Sequence, residues 1–257
     1  MKSMQLKLRW AIMACVLAQL PLHSRDSSAQ QGPTSTPVRT VLALTSLPSV
    51  VDVPLFLKLS KVELAADKSA NYFGPVGFIY VLSGSLTASG NGSPQALHKD
   101  DGHLAGAGKM HSFATGSEPA VFLHFVLARA AELEQAAARD PAVVTELYRM
   151  SRPISHLKRG PYEFTLTRVK FPPRMRPNPP HYRSGAALYY VLSGSGQFLA
   201  DGKQERKETG MPHFEPFGWV HQWGNSGDTP LELLQANISE EGVPAVIMGH
   251  PPATSRQ

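Results

Sequence analysis

Cysteine is all but missing from this chain: Cys15 is the one thiol in 257 residues. It lies in a segment patterned like a removable leader. Lys2, Lys7 and Arg9 form a basic start, and Trp10 to Leu22 (WAIMACVLAQLPL) is an apolar stretch too short for a membrane span. Ser27-Ser28-Ala29 supplies small residues ahead of Gln30. Residues 1–29 are therefore expected to be a signal peptide. The protein is expected to be exported, periplasmic or secreted, with no membrane association after cleavage. What remains has no disulfide, no thiolate metal site and no cysteine nucleophile.

A strong excess of one charge is missing too. The chain has 25 Lys and Arg against 20 Asp and Glu, but residues 1–29 hold four of those cations (Lys2, Lys7, Arg9, Arg25) and one anion (Asp26). The remainder carries 21 against 19. With no basic run and no basic helix, nucleic acid is excluded as a partner. Also absent are G-x-S-x-G, a phosphate-binding glycine loop, H-E-x-x-H and C-x-x-C, and with them the chemistries those motifs carry.

What the chain does have is proline (22), glycine (21) and an internal repeat. IYVLSGS at 79–85 returns as YYVLSGS at 189–195. At the same offset Gly108-x-x-His111 falls on Gly218-x-x-His221, Phe113 on Trp223 and Leu123 on Leu233. Each copy reads as one unit of the same fold. LFLKLSKVEL (55–64) and YEFTLTRVKF (162–171) alternate as half-buried strands do. Ser89–Ser93 and Ala200–Lys203 are hairpin signals. Short antiparallel strands with Gly and Pro turns predict an all-β protein of two jelly rolls or small barrels. Between the copies, ARAAELEQAAAR (128–139) has helix propensity, and Asp140-Pro141 reads as a helix start leading into AVVTELYRM. The expected layout is a signal peptide (1–29), a lead-in (30–44) and an N-terminal barrel (45–127). A helical linker (128–160), a C-terminal barrel (161–240) and a tail (241–257) follow.

The second copy holds Gly210, Pro216, Gly218, His221 and Asn225 at the spacing G-x5-P-x-G-x2-H-x3-N. In these residues it resembles the cupin superfamily, whose second motif this is. The resemblance covers residues 45–237 and implies two cupin-type jelly-roll barrels joined by a short helical connector. The family's first motif, roughly H-x-H-x3-E, falls on His181, Arg183 and Ala187 when counted back from Gly194. In the first copy the same count gives Asn71, Phe73 and Gly77, with His111 in the second-motif slot. Phe73 and Gly77 then make that interior apolar, and His98, His103 and His124 look scattered. That barrel reads as structural or dimer-forming.

Strand alternation would turn an H-x-H pair into a barrel, where three or four N/O ligands suit Mn, Fe, Ni or Zn. Here His181 and His221 alone are in place, and the Arg183 guanidinium offers donors and no acceptor. No metal cofactor is favoured; if one is bound, His181 and His221 are its ligands. His213, Glu215 and Tyr182 are the nearby groups that would have to complete such a set. Arg183, His181 and His221, with Tyr182 and Trp223, otherwise form a cationic pocket for a small anionic, sugar-acid or aromatic ligand. Histidine acid–base chemistry without metal is open to such a pocket. The bland alternative makes Arg183 one side of an internal salt bridge with Glu215. Three functions stay open: an exported ligand-binding two-barrel protein, a metal-dependent enzyme such as a dioxygenase, decarboxylase or isomerase, and a structural protein. A homodimer is compatible with all three.

Overall fold

The computed structural model describes residues 36–50, 53–90, 92–134 and 141–252, all within one compact unit, Ser35–Gln257. The expected signal peptide lies outside the described residues. The chain runs through β1 (Val38–Val50), β2 (Leu55–Leu64), β3 (Ser69–Phe73), β4 (Gly77–Ser83), β5 (Ser85–Ser89), β6 (Gln95–His98), β7 (Gly102–Ala105), β8 (Met110–Ala114) and β9 (Ala120–Arg129). The single turn α1 (Ala130–Leu133) and β10 (Val143–Arg149) follow. The second half holds β11 (Gly160–Phe171), β12 (His181–Arg183), β13 (Ala186–Ser193), β14 (Ser195–Ala200), β15 (Lys203–Glu208), β16 (Pro212–Glu215), β17 (His221–Gly224), β18 (Leu231–Glu240) and β19 (Val246–Met248).

Two jelly rolls result, as expected. The first pairs the sheets β10-β2-β9-β4-β7 and β3-β8-β5-β6; the second pairs β1-β11-β18-β13-β16 and β15-β14-β17-β12-β19. The repeated YVLSG is the end of β4 and of β13. Its glycines, Gly84 and Gly194, have φ of +73° and +79°, and a Cβ would stand 2.2 and 2.6 Å from the Pro119 and Pro230 carbonyl oxygens. Only glycine fits such a turn.

Three expectations change. Val143–Arg149, expected to be helical, is a strand, and it pairs with β2 from Val143↔Glu63 to Arg149↔Lys58. The free edge of β2 outweighs a weak local propensity. The helix found among the described residues is the four-residue α1. The lead-in also belongs elsewhere: β1 lies on β11, pairing from Val38↔Lys170 to Val50↔Gly160, so residues 45–50 complete the second barrel rather than open the first. Each barrel thus takes its outermost strand from sequence outside its own repeat. Finally, β2 and β18 are buried on both faces along much of their length.

That double burial has one cause. The inner faces form one core in each barrel, while the outer faces of the two large sheets pack on each other. Leu57, Phe78 and Phe125 of the first barrel meet Tyr162, Phe164 and Leu188 of the second there, with the Phe78 and Phe164 rings 4.6 Å apart. At about 1.5–3 kcal/mol per fully buried large apolar side chain, this shared core is a principal stabiliser of both halves. Phe78→Ala is expected to cost about 3–5 kcal/mol in urea denaturation. A loss below about 1 kcal/mol would show that the contact is not a packed core.

Candidate functional site

Strand β12 carries the sequence His181-Tyr182-Arg183, so alternation turns His181 and Arg183 into the second barrel and Tyr182 away from them. Tyr182, expected among the ligand-binding residues, is buried on the opposite face of its strand. His181 pairs in register with His221 on β17, and their rings lie 4.4 Å apart. His181 Nδ1–H donates to the Pro179 carbonyl at 3.0 Å, and His221 Nδ1–H to the Trp219 carbonyl at 2.8 Å. A carbonyl only accepts, so these bonds set each tautomer and leave Nε2 facing the interior.

Arg183 is completely buried. Its Nε donates to Glu215 Oε2 at 2.7 Å, its Nη2 to Gln235 Oε1 at 3.4 Å, and its guanidinium lies 5.4 Å from the Tyr189 ring centre. Nη1 has no hydrogen-bond partner. The salt bridge that the sequence left as an alternative is therefore present. Glu215 stands on β16 directly across from Ala187, the position where the family's motif has its glutamate. The carboxylate absent from position 187 is thus supplied by the adjacent strand. Its Oε1 accepts from Trp223 Nε1–H at 2.7 Å and lies 3.0 Å from His221 Nε2, off the direction of a hydrogen bond.

Burial acts to raise the Glu215 pKa. Arg183, His221 and the Trp223 indole together overcome that and hold the carboxyl well below its ordinary range. Burial lowers the Arg183 pKa against the pull of Glu215, and Arg39 adds to the lowering. His181 is pushed down to about 4, first by burial, then by His221. His213 also falls to about 4 through burial, although Glu215 opposes the fall. His213 is on β16, two residues before Glu215 and on the same inward face, and its ring is edge-on to Phe198 at 4.1 Å. His213 Nε2 is buried without a partner.

Sequence reasoning missed Gln235 as a neighbour of Arg183. Tyr189 Oη donates to Gln235 Oε1 at 3.2 Å, while Tyr190, on the other face, packs between the barrels. The missed signal was alternation along β18, which puts Gln235 and Asn237 inward at the register of Tyr189 and Ala187. Asn225, the last residue of the conserved spacing, holds a turn: its Nδ2 donates to the Pro172 and Thr229 carbonyls at 3.0 and 2.8 Å, and its Oδ1 accepts from Gly227 N–H at 2.9 Å.

The first barrel departs from its expected register. Tyr72, not Asn71, pairs with His111 as His181 pairs with His221. Ala187 is four positions after Arg183, while Gly77 is three after Gly74, and a fixed offset cannot follow that difference. Phe73 consequently points outward and is 61% exposed. His98 is exposed on β6, but His103 and His124 are not scattered. His103 and His111 have ring centres 6.2 Å apart, and His124, fully buried, lies edge-on to Tyr72 at 4.5 Å. Burial, Lys58 and His111 push His124 down to about 3.

Residues 167–237 match the family model described as a cupin domain. No curated protein matches the chain. Among solved structures, AerE from Microcystis aeruginosa is 21% identical with a TM-score of 0.51, covering 80% of this chain and 98% of that one. A single-residue variant of oxalate decarboxylase from Bacillus subtilis is 13% identical with a TM-score of 0.55, covering 86% and 81%. Another Bacillus subtilis oxalate decarboxylase structure, from work on its Mn(II) centres, is 12% identical with a TM-score of 0.53 over the same shares. Residues 167–237 are thus similar to a cupin domain, and the chain's two jelly rolls share the fold of these solved structures. These distant likenesses concern the fold, not the activity.

A divalent ion does not fit the residues present. A guanidinium fills the second-histidine slot of β12, and both Glu215 oxygens already accept hydrogen bonds. Among the described residues no group of three His, Cys, Asp or Glu is arranged to hold a metal. Elemental analysis of purified protein is expected to show less than one Mn, Fe, Ni or Zn per chain. Arg183→His, which supplies the second histidine and releases Glu215, is expected to gain one. Stoichiometric metal in the wild type that is lost in His221→Ala would refute this account of the site.

The lowered histidines also set a pH dependence. Below about pH 6.5 the unfolded chain binds protons at His124, His181 and His213 that the folded protein refuses, so stability falls with pH toward 4. Each contributes up to roughly 1.4 kcal/mol per pH unit, and loss of the Glu215 pairing adds to the fall only below the ordinary carboxylate range. Urea midpoints compared at pH 7 and pH 5 should show the loss; equal midpoints would mean the three rings are already charged or solvated.

Proposed function

We propose that the second barrel is a metal-free receptor for a small organic anion, held by Arg183 and flanked by His181, His213 and His221. The observation that carries this reading is Arg183 Nη1, a fully buried cationic donor with no acceptor. Leaving such a group unsatisfied is costly, and a carboxylate or acidic hydroxyl inside the barrel would satisfy it with a strong, charge-assisted bond. Neutral imidazoles at His181 and His213 suit a ligand that also carries hydroxyl donors, and they are the groups able to take a proton from it. Trp223 and Phe198, each edge-on to His213, supply an apolar wall for a planar or sugar-like body. The basic-then-apolar leader supports placing this receptor outside the cytoplasm.

A thermal-shift screen of carboxylates, sugar acids and phenolics tests the reading. At least one class is expected to raise the melting temperature, and Arg183→Gln to abolish the shift. A screen without any shift, or a shift untouched by Arg183→Gln, contradicts it.

A further inference from the structure

The donors around Gln235 outnumber the acceptors. Its Oε1 accepts from Arg183 Nη2 at 3.4 Å, from Tyr189 Oη at 3.2 Å and from Arg39 Nη1 at 3.2 Å. One amide oxygen has two lone pairs, and all three distances sit at the long end of the hydrogen-bond range. Arg183 Nη1, beside them, has nothing. Turning the amide over would face its NH2 toward three donors, so no orientation of Gln235 resolves the shortage.

Charge is unbalanced in the same sense. Two guanidiniums converge here, and Glu215 is ion-paired with one of them. Arg39 makes its hydrogen bond to Gln235 and has no carboxylate partner among the described residues. It sits on β1, the strand that the N-terminal segment lends to this barrel, and it is exposed, whereas Arg183 and Gln235 are buried. Gln235 therefore bridges a cation at the rim and a cation in the interior.

Resting on the anion-receptor reading, we infer that the ligand's anionic group is a carboxylate that displaces the Gln235 amide oxygen and binds between Arg39 and Arg183, with Tyr189 as a third donor. A carboxylate brings two oxygens and about four lone-pair sites, which matches the number of donors in need. It also brings the single negative charge that the two guanidiniums and Glu215 leave uncompensated. Arg39 is then a binding residue contributed by the strand that precedes the first barrel in sequence.

The full chain is titrated by calorimetry with acetate, oxalate and benzoate, and with benzyl alcohol as the neutral control. A carboxylate is expected to bind and benzyl alcohol not. Loss of a charge-assisted bond in Arg39→Gln should weaken binding about tenfold or more, with partial recovery in Arg39→Lys. Gln235→Glu places a carboxylate where the ligand's would lie; it is expected to raise the melting temperature and abolish carboxylate binding. Unchanged affinity in Arg39→Gln, or undiminished binding in Gln235→Glu, overturns the inference while leaving anion binding through Arg183 intact. A wild type that binds none of the three carboxylates overturns the receptor reading itself. Urea transitions of each variant confirm that a lost signal is not lost folding.

Discussion

The interior of the second barrel is organised by the ion pair between Arg183 and Glu215, both wholly removed from solvent. Burying either charge alone costs several kcal/mol, so each holds its place only because the other is there. The rest of the site follows from that pair. Ala187 is small opposite Glu215, leaving the two chains room to meet. The Trp223 indole occupies the carboxylate oxygen that Arg183 does not use. His181 and His221, fixed by backbone carbonyls, turn their Nε2 atoms into the same space, that of His221 against Glu215 Oε1. The position where the motif would put a second histidine already holds a cation attached to the backbone.

The first barrel shows what these strands look like without the pair. Gly74 stands where Arg183 does, each carbonyl accepting from the glycine of the G-x-x-H turn, Gly108 or Gly218. Ala105 stands where Glu215 does, opposite Gly77 as Glu215 is opposite Ala187. Tyr72 then fills the space, its hydroxyl donating to the Pro75 carbonyl at 2.8 Å. A Cβ on Gly106 would meet that ring at 2.8 Å, so the tyrosine and the glycine fit as a unit. Burial lowers His103, His111 and His124 alike, with no carboxylate among the influences on them. One fold thus carries an interior built on a fully buried ion pair and one built without it.

Much of the architecture was legible because turn glycines and alternating strands are local. Gly84, Gly194 and the spacing from Gly210 to Asn225 are fixed by backbone geometry that nearby residues dictate. The ion pair was legible as one of two alternatives, since a guanidinium cannot replace a ligand and Glu215 lies inside the second motif, beside Pro216. Errors arose where the answer depended on distant chain. Val143–Arg149 has helical neighbours, but a partner strand 80 residues earlier decides its state. The one-residue difference in spacing after Arg183 and Gly74 moved two predicted inward positions to the surface. Gln235 carries no motif, and only its register beside Tyr189 marks it.

Arg39 lay furthest beyond reach, 196 residues from the glutamine it contacts. Its place follows from a topological fact: β1 precedes the first barrel in sequence yet closes the edge of the second, while β10 follows the first barrel and returns to it. Strand pairings across such separations form late, because chain entropy is lost before the contacts repay it. The second barrel's edge, and the rim cation it carries, therefore depend on the first barrel lying packed against it, with Phe78 on Phe164. The first barrel thus supports the second: its large sheet is the surface against which the lent strand's companions are held.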